Sequence, residues 1–338
     1  MFLGMFLGAC SGPYYNGPKS DHFDGERFYA PEKIEKKNWL AVAKWRFTSD
    51  RKEWPEWVDL KKTDKPPSNV QGTELRAAFL NHSTVLIQTR GLNILTDPVW
   101  SMRVSPFSFI GPKRVHSPGI AWDDLPKIDV ILISHSHYDH LDLASVKRIA
   151  AQDDPLFIVP LGVDTIIRKA VPEARMQVMD WGQSHKFNDD LVIHAEPAQH
   201  WSARTPFDDN KSLWASYVLS FGDENIYFSG DTGYASGQVF RDIGKKYGHF
   251  RFAMLAIGAY EPRWFMKESH MNPGEAVKVF QDIRAEHAMP IHFGTFQLTD
   301  EGLGEPVEDL GKALAAARIP LESFRPLAPG EAWFVPKK

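Results

Sequence analysis

Residues 128–142 read I-D-V-I-L-I-S-H-S-H-Y-D-H-L-D, and the reading of this stretch decides the fold. An apolar, largely β-branched run stops at Ser134, and His135, His137, Asp139 and His140 crowd in directly after it. Apolar runs of this length bounded by polar residues are buried strands. The four polar side chains therefore sit on the loop past a strand end, the edge at which open α/β sheets carry their chemistry. Imidazole and carboxylate are donors that a borderline cation such as zinc accepts, and a loop hung from a rigid strand aims several of them at one place. A tetrahedral ion reached from His135 and His137 leaves Asp139 and His140 facing elsewhere. That points to a second ion close by, about 3.5–4 Å away in two-metal sites generally.

Outward from this loop, strand and helix patterns alternate. On its N-terminal side, 75–79, 83–89 and 92–96 read as strands, with Arg90-Gly91 a hairpin signal, and Asp97 closes that meander. An irregular loop over 106–118 carries Lys113 and Arg114, whose cations are candidates to meet a phosphate. On its C-terminal side, 144–151, 162–170, 239–247, 273–285 and 307–317 have helical character, while 156–160, 176–179, 191–196, 214–221, 225–229, 252–257, 288–294 and 331–335 read as strands. This alternation implies an α/β fold, a sheet covered by helices. His200, Asp231 and His292 also follow short strands, so they can converge with the 135–140 loop on one edge of a folded sheet. Asp142 and Asp97 are candidates to orient a ligand histidine from behind, and Asp142 equally suits the cap of the next helix.

The chain has 338 residues, 43% hydrophobic and 24% charged, as a soluble globular protein does. A net charge of −4 without a basic stripe argues against nucleic acid as a partner. Cys10, the single cysteine, excludes an intrachain disulfide. The opening M-F-L-G-M-F-L-G-A-C resembles the end of a bacterial lipoprotein signal, cleaved before Cys10, which is then acylated. The expected organisation is a signal and flexible tether over 1–24, then one domain over 25–338 with an N-terminal arm at 25–72. The expected location is the bacterial cell envelope, lipid-anchored at Cys10 and facing the periplasm, with a cytoplasmic protein as the alternative.

H-S-H-Y-D-H at 135–140 resembles the H-x-H-x-D-H signature of the metallo-β-lactamase superfamily, and His200, Asp231 and His292 match its later ligand positions. More narrowly, T-D-P-V-W at 96–100, G-P-K-R at 111–114, P-A-Q-H-W at 197–201, G-D-T-G-Y at 230–234 and H-F-G-T-F at 292–296 resemble the N-acyl-phosphatidylethanolamine-hydrolysing phospholipase D family. The resemblance implies a four-layer αβ/βα sandwich with two zinc ions. His135, His137 and His200 would hold one ion, Asp139, His140 and His292 the other, and Asp231 would bridge them. It also implies that Asp139 and His270, in H-M-N-P, serve catalysis, His270 by hydrogen bonding to a phosphoryl oxygen or leaving group. The expected reaction is hydrolysis of N-acyl-phosphatidylethanolamine or a related phospholipid, at a membrane surface, to phosphatidic acid and an N-acylethanolamine. A metal-dependent lactonase or other ester hydrolase, and a non-catalytic metal-bound envelope protein, are the alternatives; a homodimer is left open.

Overall fold

The computed structural model describes residues 14–337 except 36, 38 and 62, so Cys10 and the signal-like segment lie outside the described residues. Its elements run α1 (Trp39–Thr48), β1 (Leu75–Asn81), β2 (Thr84–Thr89), β3 (Leu92–Thr96), β4 (Val130–Leu132), α2 (Leu143–Asp153), β5 (Leu156–Pro160), α3 (Val163–Ala170), β6 (Met176–Met179), β7 (Ser184–Lys186) and β8 (Val192–Glu196). There follow β9 (Ser216–Phe221), β10 (Glu224–Phe228), α4 (Gln238–Tyr247), β11 (Phe250–Ala256), α5 (Arg263–Met266), α6 (Pro273–Asp282), β12 (Ala285–Ile291), α7 (Glu305–Ala317) and β13 (Glu331–Val335). They build a seven-stranded sheet in the order β13-β1-β2-β3-β4-β5-β6 and a six-stranded sheet in the order β12-β11-β10-β9-β8-β7.

Side-chain alternation assigns the layers. In β1, Leu75, Ala77 and Phe79 face the second sheet, where Ile193, Ala195, Tyr217 and Leu219 meet them, while Ala78 and Leu80 face Val146 and Ile149 of α2 and Val163 and Ile167 of α3. β4 repeats the pattern, with Val130 and Leu132 to one side and Ile131 to the other. Phe240 of α4, Phe280 of α6 and Leu310 of α7 close the far face of the second sheet. The order is helices, sheet, sheet, helices, the αβ/βα sandwich expected from the sequence.

Some boundaries differ from the sequence reading. The helix expected over 273–285 stops at Asp282, because Arg284 takes a left-handed φ of 56° and turns the chain straight into β12. Residues 14–24, read as the end of a flexible tether, are packed: the Tyr14 hydroxyl donates to Asp208 at 2.7 Å, and Tyr15 lies against Phe23 and Phe28. The arm is strapped to the edge that carries the candidate ligands. Gln199 bonds both the N–H and the C=O of Glu32, at 2.9 and 2.7 Å. Trp45 and Ser49 donate to Asp300 at 3.0 and 2.7 Å, and Trp54 donates to the Glu301 carbonyl at 2.9 Å.

Candidate metal centre

The candidate ligands leave strand ends at the edge shared by both sheets. Two bonds from β9 and its lead-in fix the 135–140 loop: the Tyr217 hydroxyl donates to the Ile133 carbonyl at 2.9 Å and the Ala215 N–H to the Ser134 carbonyl at 2.9 Å. Arg204 clips the same loop from outside. Its Nη1 donates to the carbonyls of Ser136 and Leu141 at 2.8 and 2.9 Å, and its guanidinium lies 3.9 Å over the Tyr138 ring. His200 follows β8, Asp231 follows β10 and His292 follows β12.

The donors gather into two groups. His135 Nε2 and His200 Nε2 stand 2.8 and 3.3 Å from His137 Nδ1. Asp139 Oδ2 stands 3.5 Å from His140 Nε2 and 3.4 Å from His292 Nε2. Asp231 Oδ2 lies between them, 2.9 Å from His292 Nε2, 3.2 Å from His140 Nε2 and 3.8 Å from His200 Nε2. Donors arranged tetrahedrally about 2.0–2.1 Å from one ion would be separated by about 3.3 Å, so these spacings suit a shared cation. His140 Nε2 and His292 Nε2 face carboxylate oxygens without an aligned hydrogen bond, and Asp231 Oδ1 is buried with no partner. Stranded polar atoms of this kind are costly, and a divalent cation would satisfy them.

The two groups differ in charge. Burial holds His137 down at about 3, His200 at about 4 and His135 well below the ordinary histidine value, so all three are neutral imidazoles at pH 7. Burial also opposes charge on His140 and His292, but the Asp231 carboxylate, helped by Asp139, outweighs it. It lifts His292 to about 9 and His140 well above its usual value. Without metal, protons on these imidazoles balance the two carboxylates.

Hydrogen bonds behind the cage set the tautomers. Asp97, fully buried, holds His140 Nδ1 at 2.6 Å and is itself held by the Ser134 N–H at 2.7 Å and hydroxyl at 2.6 Å. His200 Nδ1 lies 3.0 Å from the Ser269 carbonyl. In each ring the outward nitrogen carries the proton and Nε2 is free to face the cage. His270 stands beside Asp231, with Nδ1 3.9 Å from Oδ2 and no hydrogen-bond partner. Arg263 grips its carbonyl at 2.9 Å, and the Asn272–Glu275 capping box starts α6 immediately after it.

Three sequence candidates lie elsewhere. Asp142 is engaged as the cap of α2, accepting from the Ala144 N–H, the Ser145 hydroxyl and the Ser101 N–H at 3.1, 2.6 and 2.9 Å, and it orients no ligand histidine. Arg114 is buried, its guanidinium donating to the Ser101 and Val99 carbonyls at 3.0 and 2.9 Å, so it is a strut and not a phosphate site. Lys113 points outward and pairs with Glu56 at 3.7 Å. Conversely, His82, in the turn between β1 and β2, joins Asp139, His140 and His292 in one group of potential ligands. In the sequence His82 is an isolated turn histidine with no distinguishing spacing, so only the fold brings it to this group.

The family model of the β-lactamase superfamily domain matches residues 92–293. N-acyl-phosphatidylethanolamine-hydrolyzing phospholipase D 1 of Caenorhabditis elegans is 40% identical over 270 residues, covering 77% of this chain and 75% of that protein. The mitochondrial N-acyl-phosphatidylethanolamine-hydrolyzing phospholipase D of Saccharomyces cerevisiae is 38% identical over 224 residues, 65% of this chain and 47% of that one, so the chain spans about half of the yeast relative. Igni18, a metallo hydrolase from Ignicoccus hospitalis, superposes with a TM-score of 0.57 at 22% identity over 77% of this chain and 98% of its own, which shows a shared fold. Because the match runs through every strand end from His135 to His292, the chain belongs to the β-lactamase superfamily and is a metal-dependent hydrolase.

Proposed function

We propose that this hydrolase is a two-zinc phosphodiesterase of the phospholipase D type, cleaving N-acyl-phosphatidylethanolamine or a related phospholipid to phosphatidic acid and an N-acylethanolamine. The observation that carries the reading is the two donor groups with Asp231 Oδ2 between them and His270 beside it. The similarity to the worm and yeast enzymes supports the substrate class. All seven donors, His135, His137, Asp139, His140, His200, Asp231 and His292, are imidazoles or carboxylates, which suits zinc. Paired zinc ions, when bound, supply Lewis acidity toward phosphoryl oxygens and a water acidic enough to ionise near neutral pH. The chain's own groups do the rest. Asp97 and the Ser269 carbonyl keep His140 and His200 in the tautomers that expose Nε2, and His270 Nδ1 is free to hydrogen-bond a phosphoryl oxygen or the departing alkoxide.

A lipid surface is the proposed source of substrate. Phe107, Phe109, Phe207 and Phe47 are 55%, 77%, 79% and 91% exposed. Their segments are rooted beside the cage: Val104 packs with Phe296 and Tyr138, Arg204 covers Tyr138, and Trp45 of α1 packs on Phe265. α1 bears Lys44 and Arg46 and no acidic residue, a charge that favours an anionic surface. Among the described residues no helix is long and apolar enough to cross a membrane. An acyl group on Cys10 would add a second attachment at the cell envelope, as stable anchoring needs.

The test is mass spectrometry of a defined lipid panel incubated with zinc-loaded protein. Phosphatidic acid and N-acylethanolamine should appear together, and a His137→Ala variant should yield neither above background. Release of a free fatty acid, or turnover of lactones alone, would replace this reading with an ester-hydrolase one.

A further inference from the structure

We propose that His82 is a positioning residue for the second metal position: its Nε2–H donates to Asp139 and locks that carboxylate toward His140 and His292. The inference rests on the two-metal reading above. His82 Nε2 lies 3.0 Å from Asp139 Oδ2, and the side chains are 1% and 14% exposed. The contact is shorter than the 3.5 and 3.4 Å separating the same oxygen from His140 and His292. It has the length and the geometry of a hydrogen bond. With Nε2 as donor, Nδ1 is the bare nitrogen, and Nδ1 is indeed buried without a partner.

The backbone makes this placement rigid. His82 sits in the turn joining β1 to β2 with φ 43°, a conformation held by bonds on both sides. Its N–H donates to the Thr295 hydroxyl at 2.8 Å, and its carbonyl accepts the His292 N–H at 2.7 Å. One residue of the first sheet is thus stitched to the ligand that ends the second. The His82 ring packs against both imidazoles of the group, 4.1 Å from His292 and 5.3 Å from His140, centroid to centroid. An aspartate's terminal torsion is broad, so a carboxylate on a loop samples several orientations unless something grips one oxygen. The other members of its group, His140 and His292, are candidate ligands whose Nε2 would be taken up by the ion. His82 is the member able to keep hold of Oδ2 while the ion is bound.

The experiment uses the full chain, stripped with a chelator and reloaded with zinc, with bound equivalents read by elemental analysis and affinities by competition with a chromophoric chelator. The parent should bind two equivalents. His82→Leu, which fills space but cannot donate, should weaken one of them by about 10- to 100-fold and leave the other unchanged. His82→Gln, which offers an N–H at a similar reach, should recover part of the loss. Melting curves supply the second readout: the Leu variant should lose part of the zinc-dependent rise in Tm. An equal fall with and without zinc would mean a packing role and overturn the proposal. It is also overturned if the Leu variant holds both equivalents as tightly as the parent. Complete loss of one equivalent at saturating zinc in both variants would make His82 a ligand and refute the positioning role. A parent that binds one ion would instead remove the two-metal reading itself.

Discussion

At the scale of single residues, the two donor groups should take up metal differently. His137 and His200, held near 3 and 4 by burial, are already deprotonated at pH 7, so loading their position displaces no imidazole proton. His292, lifted to about 9, and His140, held well above its usual value, carry protons at pH 7 that a cation must displace. Zinc affinity at the Asp139/His140/His292 position should therefore climb as pH rises toward about 9 while the other stays flat from pH 6 to 8. Calorimetric titration at pH 7 in buffers of different ionisation enthalpy reads this directly, as one event that releases more protons than the other. His270→Gln should keep both equivalents and lower Tm only slightly, since the His270 ring meets the His200 and His292 rings at 5.1 and 5.5 Å between centroids but its Nδ1 holds no hydrogen-bond partner. It should lower kcat by about 100-fold, the low end for a group bonding the reacting oxygens.

At the scale of elements, the cage depends on how closely the loop after β10 approaches the loop after β4. Gly230 makes that approach: its φ is +53°, and a Cβ there would lie 2.6 Å from Ser134 Cβ. Gly230→Ala should push Asp231 away from the 135–140 loop. The expected cost is about 1–3 kcal/mol of stability from strain and overpacking, seen as a lower Tm together with weaker binding of both metal equivalents. Elements with strong local signals were legible in advance: β4 is an apolar run bounded by polar residues, and α6 carries Pro273 at its first turn. α1 was not, because it buries none of its residues and so has no polar and apolar faces to read. The end of α6 was missed for a different reason, since Arg284 is an unremarkable residue until its left-handed backbone is seen.

At the scale of the whole molecule, the strap formed by the arm and the exposed aromatic tips give the ligand edge its surroundings. Phe107→Ser together with Phe109→Ser should weaken binding to vesicles containing anionic phospholipid, read by sedimentation, by about 100-fold or more, because each phenyl ring buried in the bilayer contributes about 1.5–3 kcal/mol and each ~1.4 kcal/mol is tenfold. Turnover of a soluble short-chain substrate should be unchanged, since neither ring reaches the cage. Equal loss on both substrates would show that the tips shape the site and do not seek the bilayer.

The sequence by itself pointed to the donor set and the strand ends that carry it, because ligand chemistry and the apolar runs of buried strands are written locally, at 135–140 above all. Its alternating strand and helix patterns also determined the α/β class, while the four-layer sandwich followed from the resemblance of its motifs to the superfamily. Tertiary structure alone decided which neighbours serve the site. Arg114 lies in a motif that resembles the family yet is spent on backbone carbonyls, and Asp142 beside the ligand loop is spent on a helix cap. His82, far from every motif, is carried to Asp139 by a hydrogen bond between the ends of two sheets. Long-range hydrogen bonds and burial choose among chemically equivalent side chains, and neither leaves a trace in the spacing of the chain.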